Sequence, residues 1–144
     1  MKISDMTGIE LLRAMKDGII PPASMAQIMP MNFDVLEVGL VRFTVQADER
    51  HLNPMGGVHG GFAATVLDSV TGCVVHTSLD AGDVFGTVDL NIKMIRPIPK
   101  NVELIAEGRL INTSKRLGVS EGDIKDLNGK IYAHATCTCS ITRK

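Results

Sequence analysis

The chain has 144 residues, of which 44% are hydrophobic and 22% charged, with a net charge of −1. This composition is typical of one globular domain with its own core. Only 3% of the residues are aromatic and the basic residues form no long cluster, which argues against a nucleic-acid partner. No apolar run reaches the roughly 18 residues of a membrane span, and the first residues lack the apolar core of a secretory signal. We therefore expect a cytoplasmic protein with no membrane partner.

The predicted elements run from helix to strands, to a long helix, to further strands. Apolar residues at helical spacing over 9–16 predict a short amphipathic helix, and an almost wholly apolar stretch predicts a second, buried helix over about 59–77. Strand-forming runs bounded by turn residues, including Asn128-Gly129, predict six strands. They lie at about residues 31–38, 40–47, 85–96, 101–113, 116–126 and 130–142. Strands grouped around one buried helix indicate a single α+β domain over 1–144, with 1–25 as a helical extension.

The three cysteines are Cys73, Cys137 and Cys139. An odd number without framework spacing indicates free thiols in a reducing compartment. Cys137 and Cys139 lie two residues apart in a predicted strand, so their side chains share one face. We interpret them as small core residues, and a redox or metal pair is the alternative. The four histidines show no metal-ligand spacing, so we expect no metal site.

The segment that leads into the long helix combines a paired-glycine turn, Gly60-Gly61, with a single carboxylate, Asp68, among apolar residues. We expect Asp68 to be buried, and burial of an unpaired carboxylate is costly. Either Thr65, Ser69 or a neighbouring strand compensates the charge, or a reaction requires it. Backbone N–H groups at a helix N-terminus suit a developing oxyanion, and glycine lets a ligand approach closely. The alternative for the glycines is a tight turn.

The spacing of the two features bears on how many chains form the site. Gly61 and Asp68 lie on one helix face, roughly 10 Å apart along the axis. A reacting carbonyl carbon must lie about 3 Å from both the nucleophile and the oxyanion donor, so one protomer spans the gap poorly. A two-fold partner with an antiparallel helix would bring its own Asp68 up to Gly60. Helix geometry therefore favours a site shared by two protomers.

The pattern N-x-x-G-x-x-H-G-G-x-x-x-x-x-x-D, from Asn53 to Asp68, resembles the hotdog-fold acyl-CoA thioesterases, and in particular the branch typified by the phenylacetate-degradation thioesterase. Segments 86–91 and 129–135 match as well, and the resemblance covers roughly residues 30–142. It implies a long central helix wrapped by a curved antiparallel β-sheet. It also implies an edge-to-edge homodimer with active sites at the interface, commonly a dimer of dimers, acting on a coenzyme A thioester without a further cofactor.

The resemblance also implies residue roles. The acidic residue of the family falls on Asp68, and its oxyanion-binding N–H falls on Gly60, with Gly61 beside it. The polar residue before the glycine turn falls on Asn53. The residue that positions water in part of the family falls on Thr87.

Other candidates leave two interpretations open. Asn53 and His59 can each serve the reaction, or each can fix the turn in which it lies. Lys115 and Arg116 lie in a predicted turn, and Arg96 precedes a proline. Cations at a pocket mouth can hold the phosphates of coenzyme A, whereas an ordinary solvated turn needs no ligand.

We therefore expect hydrolysis of an acyl-CoA thioester to the free acid and coenzyme A, with Asp68 as nucleophile or general base. Two rival hypotheses use the same fold. One is an acyl-CoA-binding protein without hydrolytic activity. The other is an enoyl-CoA hydratase or dehydratase, in which a histidine usually follows the aspartate by a few residues, whereas here His76 lies eight residues on. The sequence does not indicate the acyl group.

Overall fold

The computed structural model describes residues 2–144, which fold into three α-helices and six β-strands. The helices are α1 (Gly8–Lys16), α2 (Met25–Ile28) and α3 (Gly60–His76). The strands are β1 (Met31–Glu37), β2 (Leu40–Gln46), β3 (Val84–Met94), β4 (Glu103–Thr113), β5 (Leu117–Lys125) and β6 (Ile131–Thr142). Every predicted strand and the long helix are confirmed, each within two residues of its expected bounds. None of the helices in the described part of the chain is long and apolar enough to cross a membrane.

The six strands form one antiparallel sheet in the order β1-β2-β4-β5-β6-β3. The sheet curves around α3, whose inward side chains form the core with those of the sheet. This arrangement confirms the predicted α+β hotdog fold. The order places β3 at one edge, so that it pairs with β6 on one side only.

Three glycines on the inner face of the sheet allow α3 to lie close to β4 and β5. A Cβ atom on Gly108 would meet the carbonyl oxygen of Val70 at 2.7 Å, and one on Gly118 would meet Val75 Cγ1 at 2.5 Å. Gly122 pairs with Gly108 across the two strands. Side chains at these positions would push the helix away from the sheet. The three glycines therefore determine how closely α3 packs against the sheet.

The N-terminal helix α1 docks against the C-terminal end of α3. The Gly8 N–H donates a hydrogen bond to the carbonyl oxygen of Leu79, at 3.0 Å. A Cβ atom on Gly8 would overlap the carbonyl group of His76. Leu12 and Ala14 are buried, as the amphipathic pattern predicts.

The outer face of the sheet carries a network of ion pairs. Arg42, Glu107, Asp123 and His134 lie directly opposite one another on β2, β4, β5 and β6. Arg42 contacts Glu107 at 2.7 Å, and Arg109 contacts Asp123 at 2.8 Å. Burial raises the pKa of the Glu107 carboxyl group, but the hydrogen bond from Arg42 and nearby positive charges outweigh this effect. The pKa of Glu107 therefore lies below its ordinary 4.5. The network therefore stabilises the charged form of Glu107.

Candidate active site

The start of α3 presents one free backbone N–H. His59 is the N-cap residue, and its Nδ1 atom accepts a hydrogen bond from the Gly61 N–H at 2.7 Å. The Gly61 amide is therefore used within the turn, and its predicted contact with substrate stays a prediction. The Gly60 N–H takes part in none of the hydrogen bonds found among residues 2–144. Of the two glycines, only Gly60 has an amide available to an oxyanion, and the turn-fixing interpretation of His59 is favoured.

Gly60 lines a cavity of about 320 Å³ between the start of α3 and the end of β3. A Cβ atom on Gly60 would lie 3.1 Å from the sulfur of Met94, so a glycine keeps this end of the cavity open. Arg96 lies at the wall, exposed, and donates a hydrogen bond to the carbonyl oxygen of Ile131. Apolar side chains line most of the rest, among them Val58, Ala63, Ile95, Ile98 and Tyr132. The cavity thus combines an apolar wall with one N–H donor and one cation.

Asp68 is exposed in the protomer, so the predicted burial is wrong. The sheet covers one side of α3, where Val66, Val70 and Val74 are fully buried. Asp68 lies on another side, which forms one wall of an open groove. No hydrogen bond or ion pair within residues 2–144 involves its carboxylate, so neither Thr65 nor Ser69 compensates the charge. Helix α3 is therefore apolar on more of its sides than one protomer buries.

Thr87 and Asp68 lie in the same groove. Both residues line an open groove between α3 and β3, together with Thr65, Ser69 and Leu90. Thr87 is exposed, and it approaches from β3 as predicted. Sequence reasoning considered Thr65 and Ser69 only as partners of Asp68 and missed them as groove residues. The spacing of three residues between Thr65 and Asp68 is the signal that places these two on one helix face.

The Asn53 side chain is used by its own loop. Its Oδ1 atom accepts hydrogen bonds from the backbone N–H groups of Met55, at 3.0 Å, and Gly57, at 3.2 Å. This geometry is an Asx-type turn and supports the structural interpretation of Asn53. The oxygen of the side chain is therefore not free to accept from a catalytic water, and only the NH₂ group can act on a ligand.

Lys115 and Arg116 lie far from the Gly60 cavity within the protomer. They line a groove with residues 140–143 of β6 and the chain end, next to the start of β3. The Gly60 cavity lies at the other end of β3, beside Met94. Ten residues of extended strand separate the two ends, which is roughly 33 Å. One protomer therefore does not bring these cations to the same ligand as Arg96.

Gly60 and Asp68 are also separate within one protomer. They lie eight residues apart on α3, roughly 12 Å along the axis, and line different cavities. His76 does not line the groove of Asp68; it stacks on Phe85, with ring centroids 4.9 Å apart, and burial lowers its pKa. The hydratase hypothesis therefore lacks its histidine. Residues 2–144 contain no group of three or more histidine, cysteine or acidic side chains placed to hold a metal ion.

Residues 55–133 match the family model of the thioesterase superfamily. The chain belongs to this superfamily. It is 29% identical to mouse acyl-coenzyme A thioesterase 13 over 96 residues, which are 65% of this chain and 67% of that protein. The matched segment of this thioesterase contains Gly60, Asp68 and Thr87.

Two solved structures are similar along most of the chain. A phenylacetic acid degradation-related protein from Ralstonia eutropha JMP134 superposes with a TM-score of 0.81 at 28% identity, over 89% of this chain and 97% of that one. A Streptococcus mutans UA159 protein bound to acetyl CoA superposes with a TM-score of 0.71 at 25% identity, over 79% and 91%. These comparisons confirm the resemblance seen in the glycine-turn segment and identify the chain as a thioester hydrolase.

Proposed function

We propose that this thioesterase hydrolyses acyl-CoA and that it works as a homodimer whose active sites combine residues of both protomers. Two observations on similar proteins support the substrate: one relative is named an acyl-coenzyme A thioesterase, and one similar structure holds acetyl CoA. The observation that carries the proposal is the unpaired Asp68 carboxylate beside Thr87 in an open groove. A free carboxylate next to a hydroxyl group is suited to activating water or attacking a carbonyl carbon.

The edge strand β3 is the natural place for a second protomer. It is eleven residues long, pairs on one side only, and exposes apolar side chains that include Val84, Val88 and Met94. An antiparallel pairing of two β3 strands places the start of one beside the end of the other. The Asp68 groove of one protomer then lies on the side of the Gly60 cavity of its partner. Closed two-fold interfaces of this kind are the commonest in homo-oligomers.

In the proposed reaction, the Gly60 N–H donates to the carbonyl oxygen of the thioester and stabilises the negative charge that develops there. The Asp68 carboxylate of the other protomer either attacks the carbonyl carbon, which gives a mixed anhydride, or removes a proton from the water that attacks it. Thr87 positions that water. The carbon–sulfur bond breaks and coenzyme A leaves as a thiolate, so the reaction does not need a strong general acid.

The antiparallel pairing of two β3 strands would also allow Lys115, Arg116 and Arg96 to bind the same coenzyme A. The groove of Lys115 and Arg116 lies at the start of β3, and Arg96 lies just beyond its end. Antiparallel pairing brings the first two, from one protomer, near Arg96 of the other. Three cations of two chains can then hold the phosphates of one coenzyme A. The acyl group is open: aryl, medium-chain and hydroxylated acyl groups suit an apolar wall, and a panel of acyl-CoA substrates assayed for thiol release distinguishes them.

The first experiment tests Asp68. We expect Asp68→Asn to lower kcat/KM for thiol release from acyl-CoA by at least about 100-fold, because the general base or nucleophile is lost. Its fold should be unchanged, since the carboxylate makes no hydrogen bond or ion pair within residues 2–144 of the protomer, and Asn has nearly the same shape as Asp, so the oligomeric state should also be unchanged. Asp17→Asn, which changes an exposed aspartate elsewhere, is the matched control and should keep full activity. Undiminished thiol release by Asp68→Asn would refute the proposal, and tight acyl-CoA binding without any thiol release by the wild-type protein would favour the non-hydrolytic hypothesis.

A second experiment tests the shared site. Gly60→Pro removes the N–H of one half-site and Asp68→Asn the carboxylate of the other. If each active site takes one half from each protomer, a mixed dimer of the two inactive variants contains one intact site. Equal mixing after dissociation should therefore restore about one quarter of wild-type activity, because half of the dimers are mixed and each has one of two sites. A mixture as inactive as its components would place both residues of each site on one chain.

A further inference from the structure

Two buried thiols lie in contact behind the Asp68 groove. Cys137 and Cys139 point inward from β6, and their Sγ atoms are 3.8 Å apart. Their exposed fractions are 1% and 0%. No disulfide joins them, and Cys73 on α3 is likewise a free thiol. The proposed hydrolysis uses none of the three.

The side chains of Thr87 and Leu90 lie between the two thiols and the groove. The Thr87 hydroxyl oxygen lies 3.9 Å from Cys139 Sγ and 4.0 Å from Cys137 Sγ. Thr87 itself is exposed and lines the groove beside Asp68. On the other sides the thiols are enclosed by apolar residues, among them Val75, Leu79 and Ile141. A small molecule in the groove is thus separated from the pair by Thr87 and Leu90, whereas a large one is excluded.

The contact makes the two thiols chemically unequal. The hydrogen bond with Cys139 lowers the pKa of the Cys137 thiol, and the same contact raises the pKa of Cys139. Cys73 differs, because burial raises its pKa to about 12. The thiolate is the reactive form of cysteine, so Cys137 is the nucleophile of the pair and Cys139 holds the second proton.

We propose that Cys137 and Cys139 form a redox-active dithiol that a peroxide oxidises to an intrachain disulfide and that a thiol reduces again. This modification site goes beyond the proposed hydrolysis and does not depend on it. It needs hydrogen peroxide from solution to enter the groove, and a second sulfur in contact with the first; the structure provides the open groove and the second sulfur.

The oxidation proceeds in two balanced steps. The Cys137 thiolate attacks one oxygen of hydrogen peroxide, so that a sulfur–oxygen bond forms, the oxygen–oxygen bond breaks, and the released hydroxide takes up a proton as water. The Cys139 sulfur then attacks the Cys137 sulfenic acid. The sulfur–sulfur bond forms, and the sulfenic oxygen leaves as water with the thiol proton. Two electrons pass from the two sulfurs to the peroxide, and two waters are produced.

The strand geometry makes this disulfide a labile one. The Cα atoms of residues two apart on a strand are separated by about 6.6 Å, near the upper end of the range that disulfides span. Closing the bond draws the sulfur atoms from 3.8 Å to roughly 2 Å and strains β6. Strained disulfides are easily reduced and are typical of regulatory rather than structural pairs.

The experiment oxidises the folded, full-length protein with hydrogen peroxide and measures its mass. We expect a loss of about 2 Da, reversed by dithiothreitol, and a disulfide that maps to the single tryptic segment 131–143. Cys73→Ser is the matched control and should lose the same mass. Cys137→Ala and Cys139→Ala should not, and circular dichroism should show that both remain folded.

A second probe tests the pair without oxidation. Arsenite is small, and its trivalent arsenic bridges two neighbouring thiols with release of water, so it should bind one to one to the wild-type protein and to Cys73→Ser. It should not bind to either alanine variant in that region. The proposal would be overturned by oxygen addition without loss of hydrogen, by a disulfide between two chains, or by an intrachain disulfide that forms only in the unfolded protein.

Discussion

Replacing Gly60 by proline deletes one N–H group and places the ring Cδ atom where that hydrogen lay. Gly60 is the first residue of α3, a position at which the helix makes no use of the amide and at which proline is tolerated. The preceding residue, His59, already has the extended backbone (ψ 137°) that a following proline requires. A Cβ atom at this position contacts the flexible side chain of Met94, which is 57% exposed and free to move aside. Gly60→Pro should therefore fold with wild-type stability or slightly above it.

The expected effect on catalysis follows from the role of that amide. Loss of one oxyanion donor costs about 100–1,000-fold in kcat, which corresponds to about 2.7–4 kcal/mol. The matched control is Gly60→Ala, which places the same Cβ atom 3.1 Å from Met94 but keeps the N–H. We expect Gly60→Ala to change KM by a few-fold at most, because the added Cβ atom meets only the side chain of Met94, which can move aside. The ratio of kcat between the two variants measures the loss of the N–H together with the steric effect of the Cδ atom that replaces its hydrogen.

The assay is thiol release from an acyl-CoA, followed at saturating and at limiting substrate, with thermal unfolding measured on the same samples. A Gly60→Pro enzyme that is folded and has a kcat within about three-fold of Gly60→Ala would show that the amide does not bind the oxyanion. The donor would then have to come from elsewhere in the cavity.

Three further predictions concern packing, pH and charge. Gly108→Ala should lower the melting temperature by about 3–10 °C, since overpacking against α3 costs about 1–3 kcal/mol, whereas Gly86→Ala, whose Cβ meets nothing within 4 Å, should not. Because the folded pKa of Glu107 lies below its ordinary 4.5, its contribution is complete above that pH and is lost as the pH falls through the folded pKa. Glu107→Gln should therefore flatten the stability curve in acid, measured by thermal unfolding from pH 3 to 7. Replacing Lys115 and Arg116 by alanine should raise KM for acyl-CoA several-fold at unchanged kcat and weaken its salt dependence; an unchanged KM would place the phosphates elsewhere.

The elements could be predicted from the sequence because local patterns decide them. The turns that separate the strands rest on residues such as Gly39 and Gly129, both with φ of 84°, which favours glycine. The Gly60 start of α3 follows from the paired glycines after His59. Sequence spacing also separates Gly60 from Asp68 correctly, because distance along a helix depends on residue number alone.

The surroundings of the site residues could not be predicted, because they depend on which elements cover which faces. The apolar helix indicated burial on every side, yet the sheet covers only part of α3 and leaves Asp68 exposed. The hydrogen bond that occupies the Gly61 N–H depends on the orientation of the His59 ring. The contact of Thr87 with the two thiols depends on the register of β3 against β6, which shifts next to Thr87. Neither side-chain orientation nor register is encoded in local composition.

The irregularity in β3 bears on how the protein avoids aggregation. The register with β6 shifts between Thr87 and Asp89, so Val88 bulges near the middle of the exposed edge. An uninterrupted, flat, apolar edge is a template on which strands of any chain can add without limit. A bulge twists the edge and interrupts its row of hydrogen-bonding groups, which leaves it fit for a partner with the complementary shape. Deleting Val88 would remove the bulge, so that strands of other chains could pair with this edge and fibrous assembly would be favoured.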